Sequence, residues 1–163
     1  ATLTRSLNPL EVTPLGIISD LIIILVIPKV KIFTKDSRKI LPENISLSDF
    51  VVNLANTASI TAAFCKNDYS LLKENLKDLA IESHRSKFIP GFEKVKIAAL
   101  DSGADGMAIS GSGPTVFAIT NSKKKAKIIE KEMEYEFNNH GIKCNTLVTV
   151  PSKNGSRIIN GIN

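Results

Sequence analysis

The sequence predicts an α+β domain in which an antiparallel β-sheet carries helices on one face. Three observations lead to this fold class. Residues 21–27 form an uninterrupted apolar run of strand length, two short β-rich segments flank a loop of small residues at 110–114, and the segment after Ser122 has the apolar period of a helix. At 163 residues the chain is long enough for one domain with a substantial core.

The first elements are strands. Residues 2–5 and 11–13 read as two edge strands around the turn at Asn8-Pro9. The run at 21–27 is rich in β-branched residues and does not alternate, which predicts a central strand buried on both faces.

Three helices are expected next. Thr34 is placed as the N-cap of a short helix over 34–40, and Ser46 or Ser48 opens a longer helix that ends near Asn67. A further helix covers 69–79. The longer helix has a predicted buried stripe at helical spacing, formed by Phe50, Leu54, Thr57, Ala58, Thr61, Phe64 and Cys65.

The second half predicts a helix from Gly91 or Phe92 to Ser102, strands at 106–109, 115–119 and 144–150, and a further strand at 157–159. The helix after Ser122 ends at Gly141. Its predicted buried residues are Ala126, Ile129, Met133 and Phe137. Without the inserted helices, the order strand, helix, strand, strand, helix, strand is the ferredoxin-like split βαβ arrangement, in which the helices share one face.

Composition excludes several classes of protein. The net charge is +5, but few aromatic residues lie among the lysines and no nucleic-acid module is present, so we expect a solvated surface and no nucleic-acid partner. The apolar run is too short to span a membrane, and no signal peptide precedes it. Cys65 and Cys144 lie far apart and outside any CxxC pattern, which indicates neither a zinc site nor a disulfide framework. We therefore expect a cytoplasmic protein without a membrane partner.

The loop at 110–114 has two interpretations. Its glycines satisfy the geometry of a tight turn, or its small residues expose backbone N–H groups to an anionic ligand. No GxxxxGK[ST] sequence is present, so it is not a Walker-type P-loop. The residues of the loop alone do not separate the two interpretations.

The surrounding motifs extend this loop into a family pattern. The ordered segments are His84-Arg85, Phe88-Ile89-Pro90-Gly91-Phe92, Gly103-Ala104-Asp105-Gly106 and Ser110-Gly111-Ser112-Gly113-Pro114-Thr115-Val116-Phe117, preceded by Arg5-Ser6-Leu7-Asn8-Pro9-Leu10 and Thr34-Lys35-Asp36-Ser37-Arg38. Together they resemble the GHMP kinase superfamily, and within it the homoserine kinase family. The resemblance covers most of the chain.

The resemblance implies ATP-dependent phosphorylation of the homoserine hydroxyl. It assigns substrate binding to Thr34, Arg38, Arg85 and Gly111, since an arginine fork suits a carboxylate, although Thr34 would equally serve as a helix cap. It places a phosphate-proximal loop at Ser110, Gly111, Ser112 and Gly113. His84 is expected to be structural, and neither a catalytic residue nor a metal ligand is expected in this chain.

The resemblance also predicts that part of the enzyme lies outside this chain. The family's phosphate-cradling loop, of Pro-x-x-x-Gly-Leu-Gly-Ser-Ser type, does not occur here, so ATP and Mg²⁺ would be bound mainly by an N-terminal half. We expect residues 1–163 to be one C-terminal domain. Within it, 1–19 would be a remnant joining that half, and 20–150 would be the ferredoxin-like core. The isolated chain is expected to be inactive.

Two alternatives remain open. One is a stand-alone ferredoxin-like regulatory module that binds an amino acid, and the other is the same domain of a mevalonate or sugar kinase. A domain that lacks its partner half should expose apolar surface, for which the candidates are Leu3, Leu7, Ile17 and Ile18. A native module would bury them within itself or in a homodimer.

Overall fold

The structure, a computed structural model, describes residues 1–155 and contains two β-sheets. One is a hairpin of β1 and β2, as the sequence predicted. The other is a four-stranded antiparallel sheet in the order β4-β5-β3-β6. The strands are β1 (Thr2–Leu7), β2 (Leu10–Pro14), β3 (Ile22–Pro28), β4 (Gly106–Ile109), β5 (Val116–Thr120) and β6 (Cys144–Thr149).

Six α-helices lie in the described residues, and four of them are inserted between β3 and α5. The helices are α1 (Thr34–Lys39), α2 (Leu47–Lys66), α3 (Tyr69–Asn75), α4 (Glu82–Arg85), α5 (Phe92–Asp101) and α6 (Lys123–Asn139). A 3₁₀ turn, Ser86–Phe88, follows α4. The expected α3 was too long, since the helix ends at Asn75. The strand expected at 157–159 lies outside the described residues.

The predicted fold class is confirmed. With α1–α4 removed, the order is β3-α5-β4-β5-α6-β6, and the order of strands in the sheet is that of the ferredoxin-like arrangement. Helices α5 and α6 pack on one face of the sheet and form the main core with alternate residues of β3 and β5. The inserted helices α2 and α3 cover part of the opposite face around Ile119, where a second cluster contains Ile18, Leu21 and Leu72.

Helix α6 has the predicted buried face. Its stripe of Ala126, Ile129, Met133 and Phe137 is at most 1% exposed. The Ser122 side chain accepts a hydrogen bond from the Lys125 amide, as expected of an N-cap. A clear polar side opposite the stripe left only one face that could pack on the sheet.

The predicted buried stripe of α2 is wrong for most of its members. Phe50, Leu54, Thr57 and Ala58 are exposed, and only Phe64 of the predicted stripe packs into the second core cluster, beside Ile60 and Ala63. Apolar residues occur on nearly every side of α2, so its periodicity did not define which side faces the sheet. Of the two predicted N-caps, Ser46 is the one used, because its hydroxyl accepts from the Asp49 amide.

Three smaller expectations also change. Strand β3 is buried on both faces only in part: Ile24 and Val26 are fully buried on one face, and on the other Ile23 packs against the second cluster while Ile27 is exposed. Cys65 is exposed rather than buried. Ile18 is fully buried in the second cluster, not exposed. Among residues 1–155, no helix combines the length and apolar character needed to cross a membrane.

Candidate functional site

The loop of Ser110, Gly111, Ser112 and Gly113, called here the 110–113 loop, connects β4 to β5. The Ser110 amide donates to the Thr115 carbonyl at 2.8 Å, which closes the base of the loop. The Gly113 amide donates to the Ser110 carbonyl at 3.0 Å, which forms a tight turn inside it. Gly111 and Gly113 have φ of +59° and +77°, values at which glycine avoids the strain of a side chain.

All three carbonyls at the tip of the loop accept hydrogen bonds from the protein. The Ser110 oxygen accepts from the Gly113 amide, as described above. The Gly111 oxygen accepts from Nη1 of Arg85 at 2.6 Å, and the Ser112 oxygen accepts from the Ser37 hydroxyl at 3.3 Å. Helices α1 and α4 therefore both hold the 110–113 loop.

These bonds determine which way the amides of the loop point. In a planar trans peptide the C=O and the following N–H point in opposite directions. Because the Ser110 and Gly111 oxygens bond to the protein, the Gly111 and Ser112 N–H groups point away from those partners. Neither amide donates to an acceptor within the described part of the chain. Two adjacent N–H groups of this kind form a positive site suited to an anion.

The two glycines of the loop face different surroundings. A Cβ at Gly113 would lie 3.2 Å from Cδ1 of Ile89, so that residue packs against the segment after α4. A Cβ at Gly111 would meet no atom of the described residues within 4 Å. The side of the loop that carries Gly111 is thus open to a ligand.

Helix α1 brings Thr34, Ser37 and Arg38 to one face, since residues three and four apart are neighbours on a helix. Ser37 is fully buried against the loop, and Thr34 and Arg38 are exposed on either side of it. Among the described residues, Arg38 makes no hydrogen bond or ion pair, which leaves its guanidinium fork available. The prediction that Thr34 caps this helix is wrong, because the N-cap position belongs to Phe33 and no side chain caps it.

Arg85 comes from α4, a single helical turn that is held in place by an ion pair with α5. Glu82 of the same turn forms an ion pair with Lys96 of α5, and both side chains are mostly buried. Arg85 itself is half-buried, and its Nε, although buried, has no hydrogen-bond partner among residues 1–155. The guanidinium thus uses one N–H on the loop and keeps further donors at the same place.

The structure thus brings Arg85 into contact with Gly111. It brings Ser37 of α1, the helix that also carries Thr34 and Arg38, into contact with Ser112 of the same loop. Sequence reasoning missed Ser37, which supplies the α1 contact. The sequence signal for Ser37 was weak, because it is a small polar residue next to Arg38 in a helix of mostly charged residues. His84 is half-buried beside Arg85, and its backbone amide bonds to Ile81.

A buried polar pair lies at the opposite end of β4. The Tyr69 hydroxyl donates to Oδ2 of Asp105 at 2.6 Å, linking α3 to the residue before the strand. Burial, together with the hydrogen bond and the negative charge of Asp105, raises the pKa of Tyr69 far above its ordinary value. Burial also raises the pKa of the Cys144 thiol. Neither group touches the 110–113 loop, so we interpret the Tyr69–Asp105 pair as structural.

Comparison with known proteins defines the class. A family profile described as GHMP kinases C terminal matches residues 60–139. The structure of L. major mevalonate kinase superposes with a TM-score of 0.63 over 90% of this chain and 48% of that chain, at 17% identity, which shows a shared fold. With the fold and the loop described above, the chain belongs to the GHMP kinase superfamily and carries its C-terminal domain.

Within that superfamily the similarity is to homoserine kinases. The homoserine kinase of Chloroherpeton thalassium is 38% identical over 158 residues, which are 96% of this chain and 50% of that protein. The crystal structure of homoserine kinase from Cytophaga hutchinsonii superposes with a TM-score of 0.86 at 41% identity, over 91% of this chain and 48% of that chain. The chain thus spans about half the length of the relatives it matches.

Proposed function

We propose that this chain is the substrate-side C-terminal domain of an ATP-dependent homoserine kinase, which phosphorylates the homoserine hydroxyl in threonine biosynthesis. One observation carries the proposal. The 110–113 loop has two open amides beside Arg85, and Ser37 of α1, the residue before the exposed Arg38, contacts the same loop. An anion-binding loop next to arginine forks suits a substrate with a carboxylate at one end and a phosphoryl group arriving at the other.

Arg38 and Arg85 would both contact the substrate, each through different N–H groups. Arg38 has no protein partner in the described residues, so its fork is free for the homoserine carboxylate, and Thr34 lies one turn before it. Arg85 donates one N–H to Gly111, its Nε is buried, and its remaining terminal N–H groups are offered to the same ligand. Gly111 and its neighbours border the phosphoryl group, whose transfer depends on positioning and charge stabilisation.

ATP and Mg²⁺ would be bound mainly by an N-terminal half that precedes these residues. Relatives of about twice this length support such a half. We assign residues 1–19 to the junction with it and 20–150 to the ferredoxin-like core. Leu3 and Leu7 of β1 are exposed, as is the α2 stripe of Leu47, Phe50 and Leu54. This apolar surface suits contact with the other half.

The proposal is tested by kinase assays on this chain and on a polypeptide extended by the N-terminal half. With homoserine, ATP and Mg²⁺, ³¹P NMR should show phosphohomoserine only for the extended polypeptide. Turnover by this chain alone would overturn the assignment of ATP binding to the other half. Turnover of mevalonate in place of homoserine would favour the alternative kinase.

Arg38 gives the test of substrate class. In the extended polypeptide, Arg38→Ala should raise KM for homoserine by about 100-fold, the loss of a charge-assisted bidentate contact, with a smaller change in KM for ATP. The matched control is Lys35→Ala, an exposed cation of the same helix. Equal effects of the two variants on homoserine would show that Arg38 acts only through net charge.

A further inference from the structure

We propose that Ser37 is a positioning residue that couples α1 to the 110–113 loop, so that the loop amides and the substrate arginine of α1 are organised together. This inference rests on the proposed function for the identity of the ligands. It concerns a residue that does not touch the substrate but acts through the Ser112 carbonyl.

Burial singles out Ser37. In the described part of the chain, only Ser37 and Thr120 are buried among polar and charged residues, and both are 0% exposed. A buried hydroxyl without a partner is unfavourable, and the Ser112 carbonyl oxygen at 3.3 Å is the partner that Ser37 has. The contact joins residues 75 positions apart in the sequence.

Helix α1 depends on such a contact. It has six residues, no side-chain N-cap, and Ser37 as its buried residue. Isolated helices of that length are not stable in water, so tertiary contacts have to hold α1 in place. The neighbouring Lys39–Asp36 pair is exposed and contributes little. The hydrogen bond from the Ser37 hydroxyl to the Ser112 carbonyl is therefore the polar contact that fixes α1 to the 110–113 loop.

The same bond orients the loop. While the Ser112 oxygen faces Ser37 and the Gly111 oxygen faces Arg85, the negative ends of both carbonyl dipoles point into the protein. The Gly111 and Ser112 amides are left as the positive surface. Without the Ser37 hydroxyl, the Gly113–Ser110 hydrogen bond alone holds the 112–113 peptide, and a turn of that peptide would bring the Ser112 carbonyl toward solvent, where it would repel a phosphate. An anion on the loop and a carboxylate on Arg38 should consequently bind with positive coupling.

The test is an amide NMR titration of this chain with inorganic phosphate. In the wild type, the Gly111 and Ser112 amide resonances should shift more than those of α5 and α6. Ser37→Ala should weaken phosphate binding about 5-fold, the effect of one hydrogen bond, and should broaden the α1 resonances. The matched control, Ser70→Ala, removes an exposed helical hydroxyl and should titrate as the wild type does.

Ser37→Cys keeps a donor at the same position, weaker and on a somewhat larger atom, and its affinity should lie between those of the wild type and Ser37→Ala. If Ser37→Ala loses chemical-shift dispersion throughout the spectrum, that variant is unfolded, and the phosphate affinity of Ser37→Cys then tests the positioning role. Unchanged phosphate shifts in both Ser37 variants would overturn the inference, as would a wild type whose loop amides do not respond.

Different results would contradict the proposed function and the positioning role of Ser37. If the extended polypeptide does not phosphorylate homoserine, yet the loop amides still depend on Ser37, the substrate assignment is wrong and the positioning role stands. If homoserine turnover is found and Ser37→Ala changes neither KM for homoserine nor kcat, the positioning role is wrong.

Discussion

Nη1 of Arg85 lies 2.6 Å from the carbonyl oxygen of Gly111 and donates a hydrogen bond to it. The two residues are 26 positions apart and come from a short helix and a loop, neither of which is rigid by itself. This charge-assisted bond fixes the direction of the Gly111 carbonyl, and through the peptide plane it fixes the Ser112 amide.

Arg85→Lys should loosen the loop while keeping the charge. A lysine lacks the planar fork, so we expect the bond to Gly111 to be lost at a cost of about 1–2 kcal/mol in the free energy of unfolding. Hydrogen exchange at the Gly113 amide, which bonds within the loop, should become faster. Arg5→Lys, at an exposed ion pair with Glu11, is the control and should change neither quantity. Unaltered exchange at Gly113 in Arg85→Lys would contradict the prediction.

The two loop glycines should differ in their tolerance of a methyl group. Gly111→Ala has open space and carries only the strain of its positive φ, about 1–2 kcal/mol. Gly113→Ala has the same kind of strain and in addition pushes against Ile89, so its cost should be larger. Chemical denaturation of both variants measures the difference. Gly111→Ala should nevertheless weaken phosphate binding more than it weakens folding, because its methyl group occupies the open side.

The Tyr69–Asp105 pair should make stability fall at high pH. The pKa of Tyr69 is raised in the folded protein, so the folded state keeps its proton at pH values where the unfolded chain loses it. The stabilisation is fully present below the ordinary tyrosine pKa of about 10. Above that value it should be lost at about 1.4 kcal/mol per pH unit. Denaturation curves between pH 8 and about 11 measure this slope.

Tyr69→Phe should remove most of that slope and cost about 1–3 kcal/mol at neutral pH, since it leaves the Asp105 carboxylate without the hydroxyl. The control is Tyr135→Phe at the other tyrosine, which is 60% exposed. It should leave the stability within about 0.5 kcal/mol of the wild type. A steep loss of stability above pH 10 that survives in Tyr69→Phe would assign the effect to other groups.

The exposed α2 stripe should matter for association rather than for folding. Leu47 and Leu54 are 77% and 57% exposed, so the double change Leu47→Ser, Leu54→Ser should alter the free energy of unfolding by less than about 1 kcal/mol. It should weaken binding of an N-terminal half supplied as a separate polypeptide at least about tenfold. Calorimetry measures both quantities. Tyr135→Ser, on α6, is the control, and equal weakening by it would show that the α2 stripe is not the contact.

Sequence reasoning worked where the signal was local. The stripe of α6 lies on one face with polar residues opposite, and its Ser122 cap and Gly141 stop are defined within a few residues of the helix ends. The order of strands and helices then restricts the sheet to few topologies. The motif around Gly111 was visible because it is contiguous.

Periodicity did not predict the buried face of α2, because apolar residues occur on nearly every side of that helix. The packing of α2 on the sheet buries the side with Ile60 and Ala63 and leaves Phe50 and Leu54 exposed. No window of the sequence contains that choice, since it depends on elements far along the chain.

For the candidate site, the sequence by itself determined the loop, the arginines and the order in which they occur, because each is a short run of residues with its own chemistry. Only the tertiary structure decided that Ser37 is buried, that its hydroxyl donates to the Ser112 carbonyl, and that Arg85 donates to the Gly111 carbonyl. Those contacts join distant segments, and the direction of a carbonyl depends on the partner that packing brings to it. The proposed anion site of the loop therefore depends on α1 and α4 as much as on its glycines.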